Sequence, residues 1–138
     1  MTSPVNSTLQ FLHYDVNKIQ FINNPDYEAQ EVEVDLEFDS AIERSEEYIA
    51  QKVSIEVFPN GLENGMPFQL QIDLTGHFRL VDGAEKMETK NIETNTLAIL
   101  FPYVRSLVTT ITANANVPAL VLPPLNIVRT LEEKNSQE

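Results

Sequence analysis

From Phe68 to Leu80 every second residue is apolar, with one gap. Phe68, Leu70, Ile72, Leu74, Phe78 and Leu80 alternate with Gln69, Gln71, Asp73, Thr75, His77 and Arg79, and Gly76 takes the missing apolar place. Successive side chains of a strand point to opposite faces, so this run commits the segment to a strand with one buried and one wet face. A glycine in the apolar row predicts a bend or a close approach of backbone at that point.

Two shorter runs have the same period. Ile49, Val53, Ile55 and Val57 lie on one face, with Lys52, Ser54 and Glu56 opposite. Val32, Val34, Leu36 and Phe38 alternate with Glu31, Glu33, Asp35, Glu37 and Asp39. The connections, a charged one over residues 40–47 and a turn-rich one over 59–67, are short and favour antiparallel pairing. Nearer the N-terminus the apolar phase shifts from Leu9 and Phe11 to Leu12, Tyr14 and Val16, then to Ile19 and Phe21. Such shifts predict one bulged strand at or near a sheet edge, ended by Asn23-Asn24-Pro25-Asp26.

After Asp82-Gly83 the period changes. Leu97, Leu100, Val104, Leu107, Val108 and Ile111 follow the spacing of a buried helix face. The β-branched run over residues 108–112 lowers helix propensity, so packing must hold this element. Asn95 or Thr96 is the expected cap, which puts Pro102 in the tolerant first turns, and Asn114 or Asn116 is the expected stop. Residues 117–124 form a proline-punctuated apolar strap, and Asn126 caps a short final helix over 127–134. The expected architecture is α+β in a single domain over 1–138: a four-stranded antiparallel sheet, a long helix and a short C-terminal helix. Residues 1–8 and 135–138 are expected to be flexible ends.

Composition narrows the function. With 21 acidic and 9 basic side chains the net charge is −12, which disfavours nucleic acid, since a binder must neutralise phosphates with Lys and Arg. No apolar run approaches the roughly 20 residues of a bilayer span. The start lacks a secretory pattern, so a cytoplasmic location without membrane insertion is expected and the Asn6-Ser7-Thr8 sequon is discounted. The chain has no cysteine, hence no thiolate site or Cys nucleophile. Its two histidines, His13 and His77, belong to separate strands and form no metal-ligand spacing along the chain. No Gly-rich phosphate loop or nucleophile elbow is present. The carboxylates over 31–39 recur about 6–7 Å apart on a wet face, without the contrast of environment that acid–base catalysis needs or the loop spacing of a calcium site. An enzyme using that ladder, and a lipid or small-molecule carrier using the apolar sheet face, are the rival readings.

The positive signal is a surplus of apolar side chains. One sheet face and one helix leave Phe101, Tyr103, the strap and the final helix to be covered by an oligomer or a bound chain. Ile99-Leu100-Phe101-Pro102-Tyr103-Val104-Arg105, followed by Pro118-Ala119-Leu120-Val121-Leu122-Pro123-Pro124-Leu125-Asn126 and a terminal helix, resembles the SecB-type protein-export chaperones. The resemblance covers about residues 9–133. It implies a homotetramer built as a dimer of dimers, with Leu100, Phe101, Tyr103, Val104, Leu107 and Val108 at the oligomer interface. It also implies an ATP-independent chaperone with no cofactor and no metal. Unfolded preproteins, or the antitoxin of a toxin–antitoxin pair, would lie in a groove lined by Val32, Val34, Leu36, Phe78, Leu80, Ile127 and Leu131. In the family, acidic residues on the first and fourth strands dock the motor SecA. The matching positions here, Lys18, Ile22, Gln69 and Gln71, are not acidic. The crossover over residues 23–29 is shorter than usual and has no tryptophan.

Overall fold

The computed structural model describes residues 9–81 and 86–123. Four strands, β1 (Leu9–Asn23), β2 (Leu36–Arg44), β3 (Tyr48–Val57) and β4 (Phe68–Leu80), precede one long helix, α1 (Thr89–Asn114). The sheet is antiparallel throughout, in the order β1-β4-β3-β2. The expected final helix, its Asn126 cap, and Ile127 and Leu131 lie outside the described residues.

β4 carries the cleanest alternation and lies in the middle of the sheet, paired with β1 on one side and β3 on the other. Its six apolar residues are all buried. Gly76 makes the close approach its place in the row predicts, although the neighbour is a side chain of α1. A Cβ there would stand 2.5 Å from Leu100 Cδ2 and 2.6 Å from Cδ1. The missing side chain is the socket into which Leu100 seats.

The phase shifts of β1 are bulges. Phe11 pairs with Phe78 and His13 with His77, leaving Leu12 as the extra residue; Val16 pairs with Leu74 and Lys18 with Asp73, leaving Asn17. Each insertion turns the apolar set over, so Leu9, Phe11, Tyr14, Val16, Ile19 and Phe21 share the helix-facing side despite irregular spacing. The strand ends where Asn24 folds back. Its Oδ1 accepts from the Asp26 amide at 3.0 Å, and its Nδ2 donates to Met66 O at 2.9 Å.

β2 differs from expectation at both ends. Residues 28–35 precede the strand, and it continues through 40–44, where a loop was expected. The cause is the length of the partner. Leu36 pairs with Val57, where β3 stops because Phe58 turns to a φ of 54°. Beyond that point only the Phe58 amide reaches back, to Asp35 O at 2.8 Å. The crossover therefore spans 24–35, longer than the sequence implied.

α1 starts earlier than the cap residues suggested, so Pro102 sits in mid-helix. Pro102 and Ala98, four residues before it, are both on the exposed side, where water can take the carbonyl that proline leaves without a donor. The first turns were hidden because the buried face there contains polar residues. Ile92, Thr96, Leu100, Val104, Val108 and Thr112 recur every fourth position, and all are buried. No side chain caps the first turn; Arg44 of β2 instead ties the start of the helix to the sheet, donating to Met87 O at 2.8 Å and Thr89 Oγ1 at 3.2 Å. By length and composition alone α1 is long and apolar enough to cross a bilayer. Here its apolar stripe is packed into the core beside the sheet.

A buried polar contact fixes helix against sheet. Gln51 is fully buried on the core face of β3, opposite Gly76. Its Nε2 donates to Ala41 O at 3.2 Å and Lys52 O at 3.1 Å, and its Oε1 accepts from Thr96 Oγ1 at 2.9 Å. Among the described residues no buried side-chain nitrogen or oxygen lacks a partner.

Candidate functional site

The strap has a defined seat. After α1 ends at Asn114 with Ala115 as its C-cap, Asn116 takes a left-handed φ of 60° and turns the chain back, one of the two stops foreseen. Thr112 Oγ1 accepts the Leu120 amide at 2.9 Å, Thr109 Oγ1 donates to Leu120 O at 2.9 Å, and Arg105 Nε donates to Leu122 O at 2.9 Å. Successive strap residues thus meet successively earlier helix positions, so the strap runs antiparallel to α1. Leu122 is buried, while Val121 points outward. The threonines that lower helix propensity here hold the strap, and the arginine of the Ile99–Arg105 motif holds its far end. The sequence named these residues without this use for them.

Among the described residues, two apolar surfaces remain open, one on each edge strand of the sheet. The first is the helix-facing side of β1, which α1 does not cover. Val16 is 42% and Ile19 48% exposed although their partners Leu74 and Ile72 are buried. Beside them is an aromatic cluster. Tyr14 and Tyr103 have ring centroids 4.8 Å apart, and Phe11 lies 5.7 Å from Tyr103 and 5.3 Å from Phe78. The free edge of β1 borders this surface. The second open surface consists of Val34 and Leu36, exposed where the crossover enters β2. Nearby, Phe58 and Phe21 both pack on Phe68, at 5.1 and 5.2 Å.

The residues expected at these surfaces divide unequally. On α1, Leu100, Phe101, Val104 and Val108 are buried inside the chain itself. They have little or no surface to give a second copy, because the core needed them. Tyr103 is exposed and Leu107 half-buried. Of the groove candidates, Val34 and Leu36 are exposed and Val32 is half-buried against the core, whereas Phe78 and Leu80 are buried. Nor are these residues gathered. Leu36 is level with Val57 and Leu70, and Phe78 lies eight residues further along β4, about 27 Å away. The described residues therefore do not bring the two halves of the expected groove together.

The outer face is polar. A shallow trough of about 500 Å³ crosses all four strands, lined by Asn17, Asp39, Lys52, Ser54, Asp73 and Thr75 among others. The carboxylate ladder is broken, because Glu31, Glu33 and Asp35 lie in the exposed segment before β2. The four positions matched to acidic docking residues are neighbours on this face. Ile22 pairs with Gln69, and Lys18 Nζ donates to Gln71 Oε1 at 3.5 Å. Gln71 in turn donates to Asp73 Oδ1 at 3.2 Å, which also accepts from Ser54 Oγ at 2.6 Å. The histidines, unrelated along the chain, stack across β1 and β4 with centroids 4.5 Å apart.

A family model described as SecB, preprotein translocase subunit SecB, matches residues 16–138. An uncharacterised protein of Methanocaldococcus jannaschii is 31% identical, over 100% of this chain and 96% of its own length. Among solved structures, a SecB-like chaperone of Mycobacterium tuberculosis in complex with an antitoxin peptide superposes with a TM-score of 0.70. That match has 17% identity and covers 88% of this chain and 93% of the other. At that identity the likeness establishes a common fold.

Proposed function

Because the chain belongs to the SecB family, we propose that it is an ATP-independent, non-catalytic chaperone that holds client polypeptides unfolded. The observation that carries this reading is the apolar surface left over after the core is complete. Val16, Ile19 and Tyr103 at one corner, and Val34 and Leu36 at the other, stay exposed on a chain that has filled its own interior. Capture of unfolded chains needs apolar area at several weak sites rather than directional bonding, and the net charge of −12 keeps such a surface soluble. Val34 and Leu36, beside the Phe58–Phe68–Phe21 cluster, are the client contact. The β1 edge with Val16, Ile19 and Tyr103 is the contact between copies, in a homotetramer built as a dimer of dimers. A lipid carrier fits poorly, because α1 packs over the apolar face of β3 and β4, and what stays open on β1 is an exposed strand edge.

Two client classes remain within this reading: exported preproteins in the cytoplasm, and an antitoxin. The four positions matched to the SecA-docking carboxylates, Lys18, Ile22, Gln69 and Gln71, carry no acidic side chain, and the M. tuberculosis relative holds an antitoxin peptide. Both points favour the antitoxin. The test is dilution of a denatured client into excess protein without ATP. Light scattering should stay low, and Val34→Ser with Leu36→Ser should raise it while the circular dichroism is unchanged. Aggregation that proceeds as in buffer alone overturns the proposal.

A further inference from the structure

His13, Asp15 and His77 meet on the outer face of the sheet, on the reverse side of the stretch of β1 that presents Tyr14 and Val16 to the helix side. His13 and Asp15 would share a face in any regular strand; His77 joins them only because of the Leu12 bulge. Without the insertion, Leu12 would stand opposite His77 and His13 would turn toward the helix side. With it, His13 pairs directly with His77, and Asp15 is next on the same face, opposite Thr75.

Both imidazoles converge on one carboxylate oxygen. His77 Nε2 lies 3.0 Å from Asp15 Oδ2, and His13 Nε2 lies 3.7 Å from the same atom. A tetrahedral zinc ion with bonds of about 2.05 Å separates its ligand atoms by roughly 3.4 Å, and the two observed distances bracket that edge. One potential ligand atom from each of the three residues lies within 4.8 Å of the other two. The two rings stack at 21° with centroids 4.5 Å apart, so binding requires them to tilt toward a common point. His13 can supply most of that tilt, since its side chain is 60% exposed. The residue opposite His77 on β3 is the small Ala50. Arg79, two residues along β4 from His77, is exposed.

We propose that His13, Asp15 and His77 form a binding site for a divalent transition-metal ion of the zinc class, stapling the edge strand β1 to β4 across its bulge. Two imidazoles and one carboxylate suit a borderline ion and disfavour the hard cations Mg²⁺ and Ca²⁺, which take all-oxygen sites. Three protein ligands on an open face leave the fourth position to water. These are the only two histidines of the chain, which has no cysteine, so histidine-dependent metal binding has one address in the protein.

The experiment titrates metal-stripped protein with Zn²⁺ by calorimetry, and with Co²⁺ by visible absorption, in excess Mg²⁺ to saturate surface carboxylates. The expected result is one ion per chain and a rise in thermal midpoint with Zn²⁺. His13→Ala and His77→Ala should each weaken binding by about tenfold or more and abolish the rise. Asp15→Asn should weaken it while preserving the pairing of the strands. In case a variant misfolds, the histidine ring signals of the unmodified protein give a second readout, and Zn²⁺ should shift both rings together. The proposal is overturned by the absence of saturable binding. It is equally overturned by binding that survives in both histidine variants, or by ring signals that do not move.

Discussion

Replacing Thr96 with valine tests whether the Gln51–Thr96 contact fixes the helix on the sheet. Valine has nearly the shape and helix propensity of threonine, so the change removes one hydroxyl and little else. Gln51 Oε1, which accepts from Thr96 Oγ1 at 2.9 Å in a fully buried residue, then loses that partner. An unsatisfied buried acceptor costs about 1–3 kcal/mol, and burying a methyl in place of the hydroxyl returns up to about 0.8 kcal/mol. The expected net loss is about 1–2 kcal/mol, or roughly 4–8 °C in thermal midpoint for a chain of this size. Gln51→Leu leaves Thr96 able to donate to Glu93 O at 3.0 Å, so the double variant should be less destabilised than the sum of the singles by about 1 kcal/mol. Chemical denaturation at fixed protomer concentration measures all four corners, because assembly makes stability concentration-dependent. A neutral Thr96→Val, or a coupling below about 0.3 kcal/mol, would refute the claim that this pair fixes the helix.

Other substitutions probe the packing and the open corner. Gly76→Val places atoms where Leu100 already lies, 2.5 Å from the added Cβ, and should cost about 1–3 kcal/mol. In a Leu100→Ala background part of that cost should vanish, and denaturant midpoints report both. Ile19→Ser with Tyr103→Ser removes apolar surface at the β1 corner without opening the core. It should lower the mass of the assembly in light scattering while secondary structure is retained. An unchanged mass would mean that copies meet elsewhere.

The elements were largely legible and the surfaces were not. β4 and β3 could be read residue by residue, because both keep the side-chain period of two along their length. β1 was readable as bulged because its apolar phase shifts are visible in the sequence itself. β2 was misplaced because Val32 and Val34 alternate well but lie beyond the reach of β3, which turns away at Phe58. Gln51 and Thr96 were missed because polar residues on a core face look like errors in a pattern until their partners are known. Of the candidate site residues, Val34, Leu36 and Tyr103 are exposed. Phe78, Leu100, Val104 and Val108 are consumed by the core. An apolar side chain carries no mark of whether its neighbour is in its own chain or another.

By itself the sequence determined what is local: the strand period, the bulges of β1, the α1 stripe and the stop near Asn116. Each follows from the geometry of a few consecutive residues. Only the tertiary structure decided how far β2 pairs and which strand lies beside β1. It also decided that Arg105, Thr109 and Thr112 hold the strap, and that two corners of the sheet stay apolar and open. The histidines show the difference most sharply. His13 and His77 are distant along the chain and have no motif between them, yet a one-residue insertion at Leu12 sets them face to face across β1 and β4. Register is a long-range property, fixed by where whole strands bury their apolar sides, and so a pairing of this kind exists only once the sheet has formed.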